Sequence, residues 1–210
     1  MIIDVITLFP EMFAGPFDTS IIKRARDQDL ITINFRQLRD WAIDKRGTVD
    51  GSPYGGGVGM VLRVEPIAKA LQELRRPESY VVLMTPQGQI YDEATAQKLS
   101  LKEHLILICG HYEGFDERIR SLVDAQISIG KYILTGGEIP AMTIVDSVVR
   151  LIPKVLTKPE ATMQESFSDG DNLEYPQYTR PEDYNGQKVP EILLSGNHSA
   201  IKKWRLLKRV

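Results

Sequence analysis

Three glycine-bearing segments collect the side chains best suited to chemistry. The first, PYGGGVGM (Pro53 to Met60), sets four glycines within five residues, which permits positive φ angles and close approach of a ligand or a second stretch of backbone. Taken alone, it is either a phosphate cradle or a flexible turn. No Lys-Ser or Lys-Thr follows it and no G-x-G-x-x-G is present, so nucleoside-triphosphatase and dinucleotide-binding readings are poor. The second, CGHYEGFDER (Cys109 to Arg118), runs from a strand end toward a helix, and ligands of open α/β sheets sit outside the carboxyl ends of strands. Glu113 within it is either a site carboxylate or a surface charge paired with Arg118. The third, SIGKYILTGGEIPAM (Ser128 to Met142), wraps Gly130, Gly136 and Gly137 in the same strand-to-helix setting. Beside TPQG (Thr85 to Gly88), it would let backbone amides and carbonyls read a flat heteroaromatic edge such as adenine. Further on, Asp146 and Arg150 share one helical face four residues apart. They are either a surface ion pair worth a few tenths of a kcal/mol or an acid that orients an arginine toward a substrate oxygen.

The elements that must hold these segments alternate between two periods. IIDVITL (2 to 8), ITINF (31 to 35), YVVLM (80 to 84), HLILIC (104 to 109) and AQISI (125 to 129) read as strands, separated by helical patterns, the order of an α/β domain with a mostly parallel sheet. Pro66 starts a helix whose Ile67, Ala70, Leu71 and Leu74 share a face. Asp116 can cap a helix carrying Ile119, Leu122 and Val123, and Pro140 opens one carrying Met142, Val145, Val149 and Ile152. From Pro153 to about Tyr178 the periodicity fails, as in a mobile linker or functional loop. Beyond it, Asn197 can cap a last helix with Ala200, Ile201, Trp204 and Leu207 on one face.

Composition narrows the class. A chain of 210 residues, 42% hydrophobic and 26% charged, suits one main domain with a small appendage. The apolar run at the N-terminus is broken by Pro10 and no stretch approaches a membrane span, so a cytoplasmic protein without membrane partners is expected. Cys109 is the one cysteine and lies in an apolar run, which predicts a buried strand residue and no disulfide framework. Three scattered histidines give no zinc-ligand spacing. The net charge of −2 argues against nucleic-acid binding by bulk charge. Yet Lys202, Lys203, Arg205, Lys208 and Arg209 contain no acid among them, and Arg36, Arg39, Lys45 and Arg46 form a second basic group. Each is either solvated surface or an RNA footprint.

In this order and spacing, PYGGGVGM, TPQG, CGHYEGFDERI, SIGKYILTGGEIPAMTIVDSVVRLIP, YPQYTRP and LLSGNHSAIKKWR resemble the bacterial tRNA (guanine-N1) methyltransferases of the SPOUT superfamily. The resemblance spans nearly the whole chain. It implies an α/β fold with a mostly parallel sheet, helices on both faces and a C-terminal trefoil knot, followed by a small helical C-terminal segment. It also implies a knotted catalytic domain over residues 1–158, a flexible interdomain loop over 159–178 and a shortened helical tRNA-binding domain over 179–210. The implied activity is methylation of guanine N1 in tRNA, 3′ of the anticodon, by a homodimer using S-adenosylmethionine. Carried over by position, cofactor contacts fall on Thr85, Pro86, Gly110, Tyr112, Glu113, Ile129, Gly130, Tyr132, Leu134, Gly136, Gly137 and Pro140. Glu165 becomes the base at N1, Arg150 the partner of O6, Asp146 the acid that orients it, and Glu113 a carboxylate beside cofactor and base. Dependence on Mg2+ is implied as well.

The chain departs from that pattern at a few places. Glu165 stands where relatives have Asp, one methylene longer, and a misplacement of about 1 Å can cost ~100-fold in rate. The segment SFSDGDNLEY is one residue longer than usual, which makes Asp169 and Glu174 secondary candidates. Gly51 replaces an acid, and the sequence ends at Val210 where relatives continue. Two other readings therefore stand: a catalytically weakened homologue that binds cofactor or tRNA, and a knotted methyltransferase acting on another RNA base.

Overall fold

Strands form where β-branched and leucine runs can be buried on both faces, as in His104–Ile108 and the first half of Ser79–Ile90, while the edge strands Thr32–Gln37 and Ala125–Ser128 are only partly buried. The computed structural model describes residues 1–158, 162 and 165–209, and these divide into two units, Met1–Thr157 and Lys158–Val210. In the first unit the elements are β1 (Ile2–Thr7), α1 (Ser20–Asp27), β2 (Thr32–Gln37), β3 (Asp50–Gly51), β4 (Val61–Leu62), α2 (Val64–Leu74), β5 (Ser79–Ile90), α3 (Glu93–Ser100), β6 (His104–Ile108), β7 (Ala125–Ser128) and α4 (Glu138–Val149). The main sheet has the order β2-β1-β6-β5-β7, with every pairing parallel. β3 and β4 form a separate antiparallel pair.

Side chains alternate across this sheet with period two. Ile3, Val5, Val82, Leu105 and Leu107 join a core with buried residues of α1, α3 and α4. Ile6, Val81, Leu83, Ile106 and Ile108 join a second core with Ile67, Ala70 and Leu71 of α2 and Ile119. Helices on both faces explain why the strands read as continuous apolar runs. A polar relay crosses four adjacent strands, from Arg36 near the carboxyl end of β2 to His104 and Ser79 at the starts of β6 and β5. Arg36 Nε donates to Asp4 at 2.6 Å, Asp4 meets His104 Nε2 at 2.8 Å, and His104 Nδ1 meets Ser79 Oγ at 2.7 Å. The Arg76 amide donates to that same hydroxyl oxygen, and because the Asp4 carboxylate only accepts, the hydrogen on His104 Nε2 is directed at it.

The structure corrects several expected boundaries. β5 runs to Ile90, well beyond Met84, because TPQGQI continues as an extension that pairs with β7 after a shift in register. β6 stops at Ile108. Asp116 does cap a helix, its side chain accepting from the Arg118 amide, but the turns at Glu117–Leu122 are of the tighter 3-10 type. α4 starts at Glu138, two residues ahead of Pro140. Sequence periodicity does not reveal α1 or α3.

The second unit contains the hairpin β8 (Asp183–Tyr184) and β9 (Gln187–Lys188), then α5 (Glu191–Leu194) and α6 (His198–Leu207). Asn197 caps α6 by accepting from the Ala200 amide at 3.1 Å. Ala200, Ile201 and Trp204 are half-buried, whereas Leu207 is 74% exposed and does not share their packed face. The expected loop over 159–178 lies partly outside the described residues. In its described part Asp169 is paired with Arg209 at 2.9 and 3.0 Å.

Candidate active site

Parallel strands all end at the same edge, so the loops that follow them meet there. At this edge of the first unit lies a cavity of about 330 Å³, within the size range of small-molecule pockets. Its wall comes from the Thr85–Pro86 extension of β5, the loop after β6 and the loop between β7 and α4. All twelve residues expected to contact cofactor line it: Thr85, Pro86, Gly110, Tyr112, Glu113, Ile129, Gly130, Tyr132, Leu134, Gly136, Gly137 and Pro140.

Glycine shapes this wall by what it lacks. A Cβ on Gly137 would lie 2.6 Å from the Gly110 nitrogen and 2.7 Å from Cys109 Cα, so α4 can start against the end of β6 only without one. The Gly137 amide then donates to the Gly110 carbonyl at 2.8 Å. Gly88 likewise lets the β5 extension cross the backbone of Gln126 and Ile127, which a Cβ would overlap. Tyr112, between these segments, holds a φ of 60°, an uncommon state for a bulky residue that marks local strain.

The PYGGGVGM segment has a different place. Tyr54 and Val58 are exposed, and the segment contributes no residue to the cavity lining. It touches the site through Glu113, because a Cβ on Gly59 would come within 2.6 Å of Glu113 Cγ. The Glu113 amide donates to the Met60 carbonyl at 2.9 Å. Arg118 is engaged with Asp116, at 2.8 and 2.7 Å, which holds the Asp116 carboxyl down at about 2. The surface-pair reading of Glu113 with Arg118 is therefore replaced by Asp116.

Asp146 is exposed on α4 and Arg150 is half-buried at its C-terminal cap, both outside the cavity lining. The Arg150 amide donates to the Asp146 carbonyl at 3.4 Å, and among the described residues no ion pair joins their side chains. Glu165 belongs to the second unit, where its carbonyl accepts from Ser168 Oγ at 2.7 Å. Asp169 is taken up by Arg209, and Glu174 accepts from Gln177 at 2.6 Å.

Sequence reasoning missed His111 and Glu138. His111 lines the cavity, its ring 4.9 Å from that of Phe9 and 5.1 Å from that of Tyr112. Glu138 is 1% exposed behind it. An acid in the first turn of a helix ordinarily reads as a solvent-facing complement to the helix dipole, so nothing in the sequence signalled its burial. Cys109 is buried as expected, and burial, aided by the charge of Glu138, pushes its thiol well above the usual range. Among the described residues no three His, Cys, Asp or Glu gather to hold a metal ion, so the implied magnesium dependence finds no support there. No described helix is long and apolar enough to cross a membrane.

Comparison with known proteins matches the whole chain, residues 1–210, to the family described as tRNA (Guanine-1)-methyltransferase TrmD. A tRNA (guanine-N(1)-)-methyltransferase of Dictyoglomus turgidum is 57% identical over 203 residues, covering 97% of this chain and 82% of that protein. Enzymes of the same name from Carboxydothermus hydrogenoformans and Staphylococcus haemolyticus are each 54% identical. They cover 98% of this chain and 81% and 84% of their own lengths. The chain belongs to the tRNA (guanine-1)-methyltransferase family of enzymes.

Proposed function

We propose that this chain transfers a methyl group from S-adenosylmethionine to N1 of the guanine 3′ of the anticodon in tRNA. The observation that supports this most is the cavity at the strand ends, where all twelve positions expected to contact cofactor converge. Its wall suits such a ligand. Apolar Pro86, Ile129, Leu134 and Pro140 can flank a flat base, glycines leave main chain bare for its edge, and Glu113 offers a carboxylate to a cation. When bound, the cofactor supplies an electrophilic methyl group on a sulfonium.

The protein must make the acceptor reactive. Guanine N1 carries a proton at neutral pH and is a poor nucleophile. Glu165 takes that proton as the N1–methyl bond forms, a general-base contribution of roughly 10²–10⁴ in rate. Arg150 stabilises the negative charge that spreads to O6, Asp146 orients Arg150, and the rigid guanidinium fork suits an oxygen gaining charge. The target base must leave its stack to be reached.

Further parts of this reading are a knotted chain path at the cavity, a homodimer in the cytoplasm, and a division into 1–158 for catalysis, 159–178 as a loop and 179–210 for holding tRNA. Exposed Lys202, Lys203 and Arg205 on α6 support the last, as does Arg205 over the Tyr175 ring at 4.8 Å. Incubation with methyl-labelled cofactor and unmodified tRNA should place label on guanine N1 next to the anticodon by mass mapping. Label on another base, or none at any enzyme excess, overturns the proposal.

A further inference from the structure

Behind the cavity lies a line of buried polar groups that the proposed chemistry does not use. Glu138 Oε1 accepts from Thr7 Oγ1 at 2.7 Å, and Thr7 Oγ1 accepts from the Phe9 amide at 2.9 Å. Thr7 is fully buried and Glu138 is 1% exposed. The second carboxylate oxygen, Oε2, is buried without a hydrogen-bond partner, and so is Nδ1 of His111. Both atoms crowd the same point, since a Cβ on Gly136 would clash with Oε2 and lie 2.8 Å from Nδ1.

Two orphans side by side are complementary in one protonation pattern. A carboxylate oxygen accepts only, and an imidazole nitrogen donates when it carries the hydrogen. A buried polar atom left unpaired costs about 1–3 kcal/mol, so the pattern that pairs both atoms is strongly favoured. A histidine with its hydrogen on Nδ1 supplies it, directly or through one water.

We propose that Glu138 is a positioning residue that holds His111 in its Nδ1–H form and so fixes the cavity wall between β6 and α4. Thr7, Glu138 and His111 then join the ends of β1, α4 and β6 in one chain of hydrogen bonds, with Gly136 as the gap that lets it close. The expected effect on cofactor binding rests on the methyltransferase reading; the state of the imidazole ring does not.

The test is nitrogen NMR of the full chain labelled with 15N-histidine. The three histidines are few enough for His111→Asn to assign the ring of His111. In the wild-type protein Nδ1 of His111 should carry the hydrogen. In Glu138→Gln, the amide carbonyl takes the Thr7 proton and the amide nitrogen donates to Nδ1, so the hydrogen should move to Nε2. Cofactor affinity by calorimetry should fall about tenfold in Glu138→Gln. His111→Leu should fall likewise, and His111→Asn, which keeps a donor for Glu138, should recover most of that loss. A wild-type His111 protonated on Nε2 alone overturns the proposal, as does a ring unmoved by Glu138→Gln, or His111→Leu binding like wild type. If the wild-type protein binds no cofactor, the methyltransferase reading fails, and the spectra alone decide the role of Glu138.

Discussion

Replacing Gly137 by alanine tests whether close approach, rather than backbone conformation, makes glycine necessary beside the cavity. Gly137 has φ −86° and ψ −3°, which alanine adopts freely, so the whole cost is steric. The new Cβ would sit 2.6 Å from the Gly110 nitrogen, 2.7 Å from Cys109 Cα and 3.0 Å from the Cys109 carbonyl carbon, whereas carbon atoms settle at about 3.5–4.0 Å. Every one of these atoms is backbone, so no rotamer change relieves them, and α4 must retreat from β6 by roughly 1 Å. Overpacking of this kind costs about 1–3 kcal/mol. Stretching the 2.8 Å bond from Gly137 to Gly110 adds about 0.5–1.5 kcal/mol. The stiffer unfolded chain offsets about 0.4–1 kcal/mol, leaving a net loss near 2 kcal/mol. For a chain of this size that lowers Tm by roughly 4–8 °C. The control is Gly55→Ala, where φ is +84° and nothing lies within 4 Å. There the left-handed backbone costs about 1–2 kcal/mol, partly offset as before, and Tm should fall by no more than about 6 °C. Calorimetric melting and cofactor titration of both variants separate the two causes. Gly137→Ala should also lose cofactor affinity, and Gly55→Ala should keep it. A Gly137→Ala protein that melts within 1 °C of wild type by ~1 °C resolution and binds cofactor normally refutes the steric account of this wall.

Glu165→Gln should lower turnover by about 100-fold or more while cofactor affinity stays within twofold; unchanged single-turnover rates would move the base to another group. Asp4→Ala should remove the acceptor of both Arg36 and the 1% exposed His104, costing about 3 kcal/mol, and calorimetry should show a Tm lower by roughly 6–12 °C. Burial pushes the Tyr91 phenol from 10.0 up to about 12, against the opposing hydrogen bond to Ser147. Its raised value makes a contribution that is complete below pH 10, where folded and unfolded phenols are both protonated, and is lost as pH rises toward 12. Tyr91→Phe should therefore flatten the alkaline limb of a stability–pH profile between those two values, and an unchanged slope would contradict the burial argument.

The sheet was legible because its central strands are buried on both faces, so Leu105 to Ile108 is an unbroken apolar run and Ile3, Val5 and Ile6 are interrupted only by Asp4. Their order across the sheet was not, since β1 lies beside β6 and β5 beside β7, pairs that are not consecutive in the chain. α1 and α3 were not legible because each is only eight residues long, and they bury two side chains apiece, Ile22 with Ala25 and Ala96 with Leu99, so neither pattern runs long enough to stand apart from the neighbouring loops. The extension of β5 is written in polar residues and exists because Gly88 admits the backbone of β7. Two of the three glycine segments line the cavity and PYGGGVGM does not, and the sequence did not show what each glycine is for. Gly55 and Gly59 adopt positive φ, while Gly136 and Gly137 are pressed against other atoms at ordinary angles. Composition and spacing do not distinguish these two uses.

The two edges of the sheet are built on opposite principles, and the contrast bears on where ligand binding acts. At the N-terminal edge, Asp4, His104 and Ser79 satisfy one another across three adjacent strands, with Arg36 reaching Asp4 from further along β2, and this edge is a clamp. At the C-terminal edge, Tyr112 is held at positive φ and Ile133 is 78% exposed. Locally unfavourable features gathered in one place persist only where the surrounding structure enforces them. Here the enforcing structure is the pair of cores that grip β5 and β6 from both faces, the first of which also holds α4. A ligand that covers Ile133 and packs against Tyr112 removes part of that cost on binding. Cofactor should accordingly raise protection from hydrogen exchange most in the segments 110–115 and 129–137, and least at Asp4 and His104, which have little left to gain.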